Sequence, residues 1–141
     1  MRAFLDTSSL LKLYHHEIGS DAIEDALLSD VEEIFLSDIA ILEFRSAIWK
    51  KVRKGEINEK VAIEVISYFQ DDYHNFQWIK IQFETLEAAS KLLMKYGHKG
   101  LRTLDSLQLA SALTLKNDEC IFLTSDNLLK SLFKEESLHV T

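Results

Sequence analysis

Four carboxylates in this 141-residue chain stand where acids can do chemistry: Asp6, Glu43, Asp105 and Asp126. Asp6 closes a short apolar run in Ala3-Phe4-Leu5-Asp6-Thr7-Ser8, and Asp126 follows another in Thr124-Ser125-Asp126-Asn127. Asp105 opens an apolar segment in Arg102-Thr103-Leu104-Asp105-Ser106-Leu107. Each of these three has an ordinary explanation, because Asp at a helix start accepts bonds from free N–H groups and sits at the positive end of the helix dipole. Glu43 resists it. A helix from about Asp38 to Lys54 puts Glu43 about one and a half turns in, so its ordinary role is a boundary residue reaching solvent or pairing with Lys50 or Arg45.

Taken together, the four acids imply more than capping. Two carboxylates about 5 Å apart repel by roughly 3 kcal/mol at an effective dielectric near 20, and four in one place contain several such pairs. A bound cation or proton relieves that repulsion. Ligation by oxygen alone suits Mg²⁺ or Mn²⁺ rather than zinc. The five histidines (His15, His16, His74, His98, His139) lack helical spacing, and Cys120 is the single cysteine, which argues against a zinc site and excludes an internal disulfide. A site of hard-metal type supports metal-assisted hydrolysis of a phosphodiester. It also reconciles a net charge of −7 with a polyanionic substrate, since the ion reverses the field locally. Binding nucleic acid through a broad basic surface is excluded.

The elements that must position these acids follow from periodicity. Short apolar strands are expected up to Leu5, at Ile34–Ser37, at Trp78–Ile81 and at Cys120–Thr124, with a short fifth at Leu138–Val140. Between them, helices are expected over Thr7–His16, from the Gly19-Ser20-Asp21 turn onward, over Asp38–Lys54, after the Asn58 cap and over Glu84–Tyr96. Two more are expected over Leu104–Lys116, apolar on nearly every side, and Asn127–Phe133. Gly97-His98-Lys99-Gly100 reads as a flexible basic loop. Strands alternating with helices, and strands with no wet face, predict an α/β fold with a mostly parallel sheet covered on both sides. Acids that follow such strands share the edge where active sites gather.

With 47% hydrophobic and 28% charged residues, no proline and no repeats, residues 1–141 read as one globular domain. No apolar run approaches the roughly 20 residues a membrane helix needs, and the start lacks a signal-peptide pattern, so the expected location is cytoplasmic. Trp49, Tyr68, Tyr73 and Trp78 are expected mainly in the core, any exposed one marking a partner surface.

The order and context of the acids resemble the PIN-domain family, in particular the VapC-type toxins of prokaryotic toxin–antitoxin pairs. The resemblance covers essentially the whole chain. It rests on Asp6-Thr7-Ser8 after the first strand, Glu43 in Ile41-Leu42-Glu43-Phe44, the Leu101–Ala110 segment around Asp105, and Thr124-Ser125-Asp126. It implies a PIN-like three-layer fold with a twisted parallel sheet of about five strands between helices. It also implies a Mg²⁺- or Mn²⁺-dependent endoribonuclease that cuts RNA, forms a homodimer and is neutralised by a small antitoxin. In that picture Asp6 and Asp105 bind metal directly, and Glu43 and Asp126 complete the site directly or through water. Ser8 and Thr124 support them by hydrogen bonds, and Arg102, His98 and Lys99 contact RNA phosphates. Gln108 stands where relatives often carry His, a departure outside the acid set.

Competing classes fit less well. A phosphotransfer domain with its nucleophile after the first strand wants a second Asp close by, where this chain has Thr7, Ser8 and Ser9. Dehydrogenase and P-loop nucleotide folds need glycine-rich motifs, and only four glycines occur. The remaining alternative is a PIN-like domain that binds RNA or protein without catalysis.

Overall fold

The computed structural model describes residues 1–141. Four parallel strands, β1 (Arg2–Leu5), β2 (Glu33–Ser37), β3 (Phe76–Ile79) and β4 (Cys120–Leu123), form one sheet in the order β3-β2-β1-β4. The connections carry helices α1 (Thr7–Tyr14), α2 (Ser20–Leu28), α3 (Ala40–Arg53), α4 (Glu59–Asp71), α5 (Phe83–Tyr96) and α6 (Thr103–Leu113), and α7 (Asn127–Glu135) follows β4.

Alternation along the strands builds two cores. Phe4 and Phe122 point to one face, where α5, α6 and α7 pack with Leu92, Leu109 and Phe133. Ala3, Leu5, Ile121 and Leu123 point to the other, against Leu10 of α1, Phe44 and Ile48 of α3 and Phe69 of α4. Both faces of the sheet are therefore dry, as uniformly apolar strands require. Phe69 is the hub of the second core, with ring centroids 4.3 Å from Phe44 and 4.9 Å from Tyr73. Tyr73 and Trp78 join this aromatic cluster, Trp49 is half-buried, and Tyr68 is 58% exposed on α4.

Several expected boundaries shift. The third strand starts at Phe76, two residues before the expected Trp78, and its continuation at Ile81 is tied instead by an N–H bond to Asp38 Oδ1 (3.1 Å). The fifth strand shrinks to a single parallel bridge between Val140 and Phe122. Ser137 adopts φ 63 and Leu138 turns into the core, so only the next two residues are extended beside β4. α6 is buried from Ser106 to Ala112, but Leu104 is 48% exposed. The segment Gly97–Lys99 is a 3₁₀ turn rather than a flexible loop.

Candidate active site

With β1 central, the chain winds outward through β2 and β3 and then returns to place β4 on the other side of β1. The order of strands reverses between β1 and β4, and at such a switch point helices leave in opposite directions and open a crevice beyond the carboxyl ends. All four acids line this crevice, an open cleft of about 370 Å³.

Asp6 is its floor. The residue ends β1, and its carboxylate is 3% exposed. Oδ1 accepts the N–H of Ser9 (3.0 Å), Oδ2 accepts the Thr124 hydroxyl (2.6 Å), and Ser8 Oγ donates to both oxygens (2.8 and 2.9 Å). Ser8 also accepts the N–H of Ser125 (2.9 Å), and Thr124 Oγ1 accepts that of Asp126 (3.1 Å), which ties the end of β4 to the end of β1. Burial pushes the Asp6 carboxyl up from 3.8 to about 6, against the lowering effect of Thr124, Ser9 and Ser8. Ser8 and Thr124 thus lie where the sequence places them.

Glu43 differs from expectation. α3 begins at Ala40, because Asp38 and Ile39 form the preceding turn, so Glu43 lies in the first helical turn rather than deeper. It pairs with neither Lys50 nor Arg45. Its Oε1 accepts the Thr7 hydroxyl (3.0 Å) and the Gln108 side-chain amide (2.8 Å), and Gln108 also donates to Thr7 Oγ1 (3.1 Å). Gln108, 2% exposed on α6, therefore touches the acid set directly. Glu43 is raised above the usual carboxylate range by burial, opposed by Gln108 and Thr7 and reinforced by the charge of Asp105.

Asp105, half-buried in the first turn of α6, accepts no hydrogen bond from the protein. Burial raises its carboxyl, the Asp126 charge raises it further, and Arg102 opposes both. Asp126 caps α7, its Oδ1 accepting the Leu129 N–H (2.7 Å). Each acid keeps acceptor capacity free for a cation: both oxygens of Asp105, Oε2 of Glu43, Oδ2 of Asp126 and a remaining lone pair on Asp6. No three of them converge into a ready-made cage of ligands. That spacing and an all-oxygen donor set fit a hard ion that keeps several of its waters, as Mg²⁺ does.

The expected phosphate contacts divide. Arg102 lines the cleft, but Lys99 pairs with Glu135 and His98 is exposed outside it. Lys50, unforeseen, lines the cleft instead. Its signal was available, since Glu43, Ala47 and Lys50 stand at i, i+4 and i+7 on one helix face.

Known proteins resemble this chain in sequence or in fold. Ribonuclease VapC3 of Pyrobaculum aerophilum is 28% identical over 99 residues, which are 69% of this chain and 72% of that protein. The structure of Mycobacterium tuberculosis VapC20, a sarcin–ricin loop cleaving toxin, superposes with a TM-score of 0.69 at 12% identity, covering 92% of this chain and 94% of that one. A toxin–antitoxin complex from Klebsiella pneumoniae matches at a TM-score of 0.62 and 20% identity, over 89% of this chain and 88% of its own. The PIN domain model matches residues 3–133, nearly the full length, and the chain belongs to the PIN domain family.

Proposed function

We propose that this protein is a Mg²⁺- or Mn²⁺-dependent endoribonuclease acting as the toxin of a VapBC-type toxin–antitoxin pair. The observation that carries the reading is the gathering of Asp6, Glu43, Asp105 and Asp126 in one cleft at the switch point of the sheet, three of them with raised carboxyls. Asp6 and Asp105 would hold the ion directly, and Glu43 and Asp126 directly or through water. Bound there, it would lower the pKa of a water and offset charge on the phosphodiester.

The chain's own residues do the rest. Ser8 and Thr124 fix the orientation of the Asp6 carboxylate, and Thr7 and Gln108 that of Glu43. Glu43 Oε2, free of protein bonds and on a carboxyl that burial raises, would accept the proton of an attacking water. Arg102 and Lys50 offer positive charge to the phosphate from the cleft rim.

RNA as substrate is supported by the relative named as a ribonuclease, and an antitoxin partner by the toxin–antitoxin complex of similar fold. A homodimer and a cytoplasmic location belong to the same proposal. The buried single Cys120 suits a reducing compartment, and no helix is long and apolar enough to cross a membrane. Two cores that share one sheet and draw on residues from Ala3 to Leu138 support a single domain.

The test is incubation of purified protein with tRNA and other structured RNAs in Mn²⁺ or Mg²⁺, with chelator and Asp105→Asn as controls. Cleavage abolished by both controls is expected. Cleavage that survives both would overturn the mechanism, and RNA binding without any cleavage would establish a non-catalytic binding domain instead.

A further inference from the structure

Beside the acidic cleft lies a second one, of about 300 Å³, with no acidic side chain in its walls. Its lining includes Lys12 of α1, Gly19 at the start of α2, the Thr124-Ser125 turn, Asn127 and Lys130 of α7, and Thr141. The two clefts share a wall. Ser8 and Asp126 line the acidic side and Ser125 and Asn127 the other, with the Ser125 N–H bonded to Ser8 Oγ across it, and Thr124 lines the second cleft while its hydroxyl bonds Asp6.

Both lysines are half-buried, and no carboxylate forms an ion pair with either. Lys12 is also held in place. Its ammonium donates to the Ile18 carbonyl and lies over Gly19, where any Cβ would come within 2.8 Å of Nζ. Gly19 itself adopts φ 94 and offers no side chain to cap α2, so the positive end of that helix adds to the field. One bond to Ile18 leaves two ammonium hydrogens of Lys12 uncommitted, and Lys130 donates to no protein group.

We propose that this cleft seats a backbone phosphate of the RNA strand flanking the scissile bond, held by the ammonium groups of Lys12 and Lys130. The proposal rests on the nuclease reading and adds a direction to it. A strand whose scissile phosphate lies among the four acids crosses the Thr124–Asn127 wall and sets its neighbouring phosphate between the two lysines. A net-negative protein thereby gains grip on a polyanion without a basic surface.

The test measures binding of a labelled single-stranded oligoribonucleotide in Ca²⁺, across a range of salt, and steady-state cleavage in Mn²⁺. Lys130→Gln is expected to weaken binding by roughly 3- to 10-fold and to reduce the slope of log K against log salt by about 0.7, with Lys12→Gln alike and the double variant losing about twice the slope. Lys130→Arg restores the slope, and Lys91→Gln, on exposed α5 outside both clefts, leaves it unchanged. In cleavage the loss appears in KM rather than kcat, and it disappears with a dinucleotide that lacks the flanking phosphate. Because Lys12→Gln also removes the Ile18 bond, Lys130→Gln decides if the Lys12 variant folds poorly. An unchanged salt slope for Lys130→Gln overturns this proposal and leaves the nuclease intact. Binding with the expected slopes but no cleavage overturns the nuclease reading and keeps the phosphate seat, and absence of binding by the wild type overturns both.

Discussion

Replacing Asp6 by Asn should stabilise the metal-free protein while abolishing its metal response. The buried carboxyl is raised from 3.8 to about 6, a shift of about 2 units, and each unit corresponds to about 1.4 kcal/mol. Ionised Asp6 therefore costs the fold about 3 kcal/mol at neutral pH. The sign follows from proton linkage. With the folded value above the unfolded one, the favourable contribution is complete below pH 3.8 and is lost as pH rises through about 6. Asn carries no charge and still caps a helix well, but it exchanges one acceptor oxygen for a donor and weakens the bonds from Thr124 and Ser8, a loss of about 1 to 2 kcal/mol. The net gain is about 1 to 2 kcal/mol at pH 7.5 in chelator, or a Tm higher by roughly 3 to 8 °C for a domain of this size. Thermal denaturation from pH 3.5 to 8 measures it, and the advantage should vanish or reverse at the acid end. Mn²⁺ should raise the Tm of the wild type and leave that of the variant in place. A variant less stable than wild type by more than about 1 kcal/mol at pH 7.5 in chelator, or a difference that ignores pH, would refute the reasoning.

Other perturbations separate the site from its frame. Gln108→Leu removes a donor from Glu43, and Mn²⁺ affinity should fall roughly 10- to 100-fold by titration, whereas Gln108→His, which keeps an N–H, should retain most of it. Phe69→Ala should cost about 3 to 5 kcal/mol in urea unfolding, because it empties the centre of the aromatic cluster, while the adjacent and exposed Tyr68→Ala should change stability by less than about 0.5 kcal/mol. Glu136 is held below the usual carboxylate range by hydrogen bonds from Lys95 and Tyr96. Its contribution is present above pH 4.5 and lost as pH falls through its lower folded value. Glu136→Gln should therefore lose less than about 1 kcal/mol at pH 7 and nothing at pH 2 to 3, read by denaturation at both.

Asp6, Asp105 and Asp126 were legible in the sequence because each stands just past an apolar strand or at the start of an apolar helix, and Glu43, expected about one and a half turns into its helix, stood out because capping does not explain an acid there. What joins them was not. Gln108 lies 65 residues from Glu43, and its bond to Glu43 exists only because α6 and α3, packed on opposite faces of the sheet, approach each other past its carboxyl edge, a tertiary fact no window of sequence contains. The pairing of Lys99 has the same origin, since Glu135 reaches it from 36 residues away. Strand positions were readable from β-branched and aromatic runs, but the end of pairing was not. The shrunken fifth strand depends on the positive φ of Ser137 and on Leu138 entering the core. Lys12 and Lys130 drew no attention because a lysine at a helix surface is ordinary until a fold brings two of them to one cleft without an acid.

Capping and metal binding look like alternatives for these aspartates, but the positions the structure gives them are compatible with both at once. Asp6 caps α1, Asp126 caps α7, and Glu43 and Asp105 lie in the first turns of α3 and α6. Four helices thus begin at the cleft, because the carboxyl edge of a parallel sheet is where the following helices start. Each helix N-terminus favours a nearby anion by about 0.3 to 1 kcal/mol, so four together contribute on the order of 1 to 4 kcal/mol. Repulsion among four carboxylates, at roughly 3 kcal/mol for each pair about 5 Å apart, exceeds that once more than one pair comes close. Burial is the main cause of the raised carboxyls of Asp6, Glu43 and Asp105, and repulsion adds to it for Glu43 facing Asp105 and for Asp105 facing Asp126. Helix termini alone can gather the acids but cannot fully stabilise them ionised. In the proposed reading a divalent cation would supply the remainder, and the same imbalance that destabilises the metal-free fold would become the driving force for holding the ion.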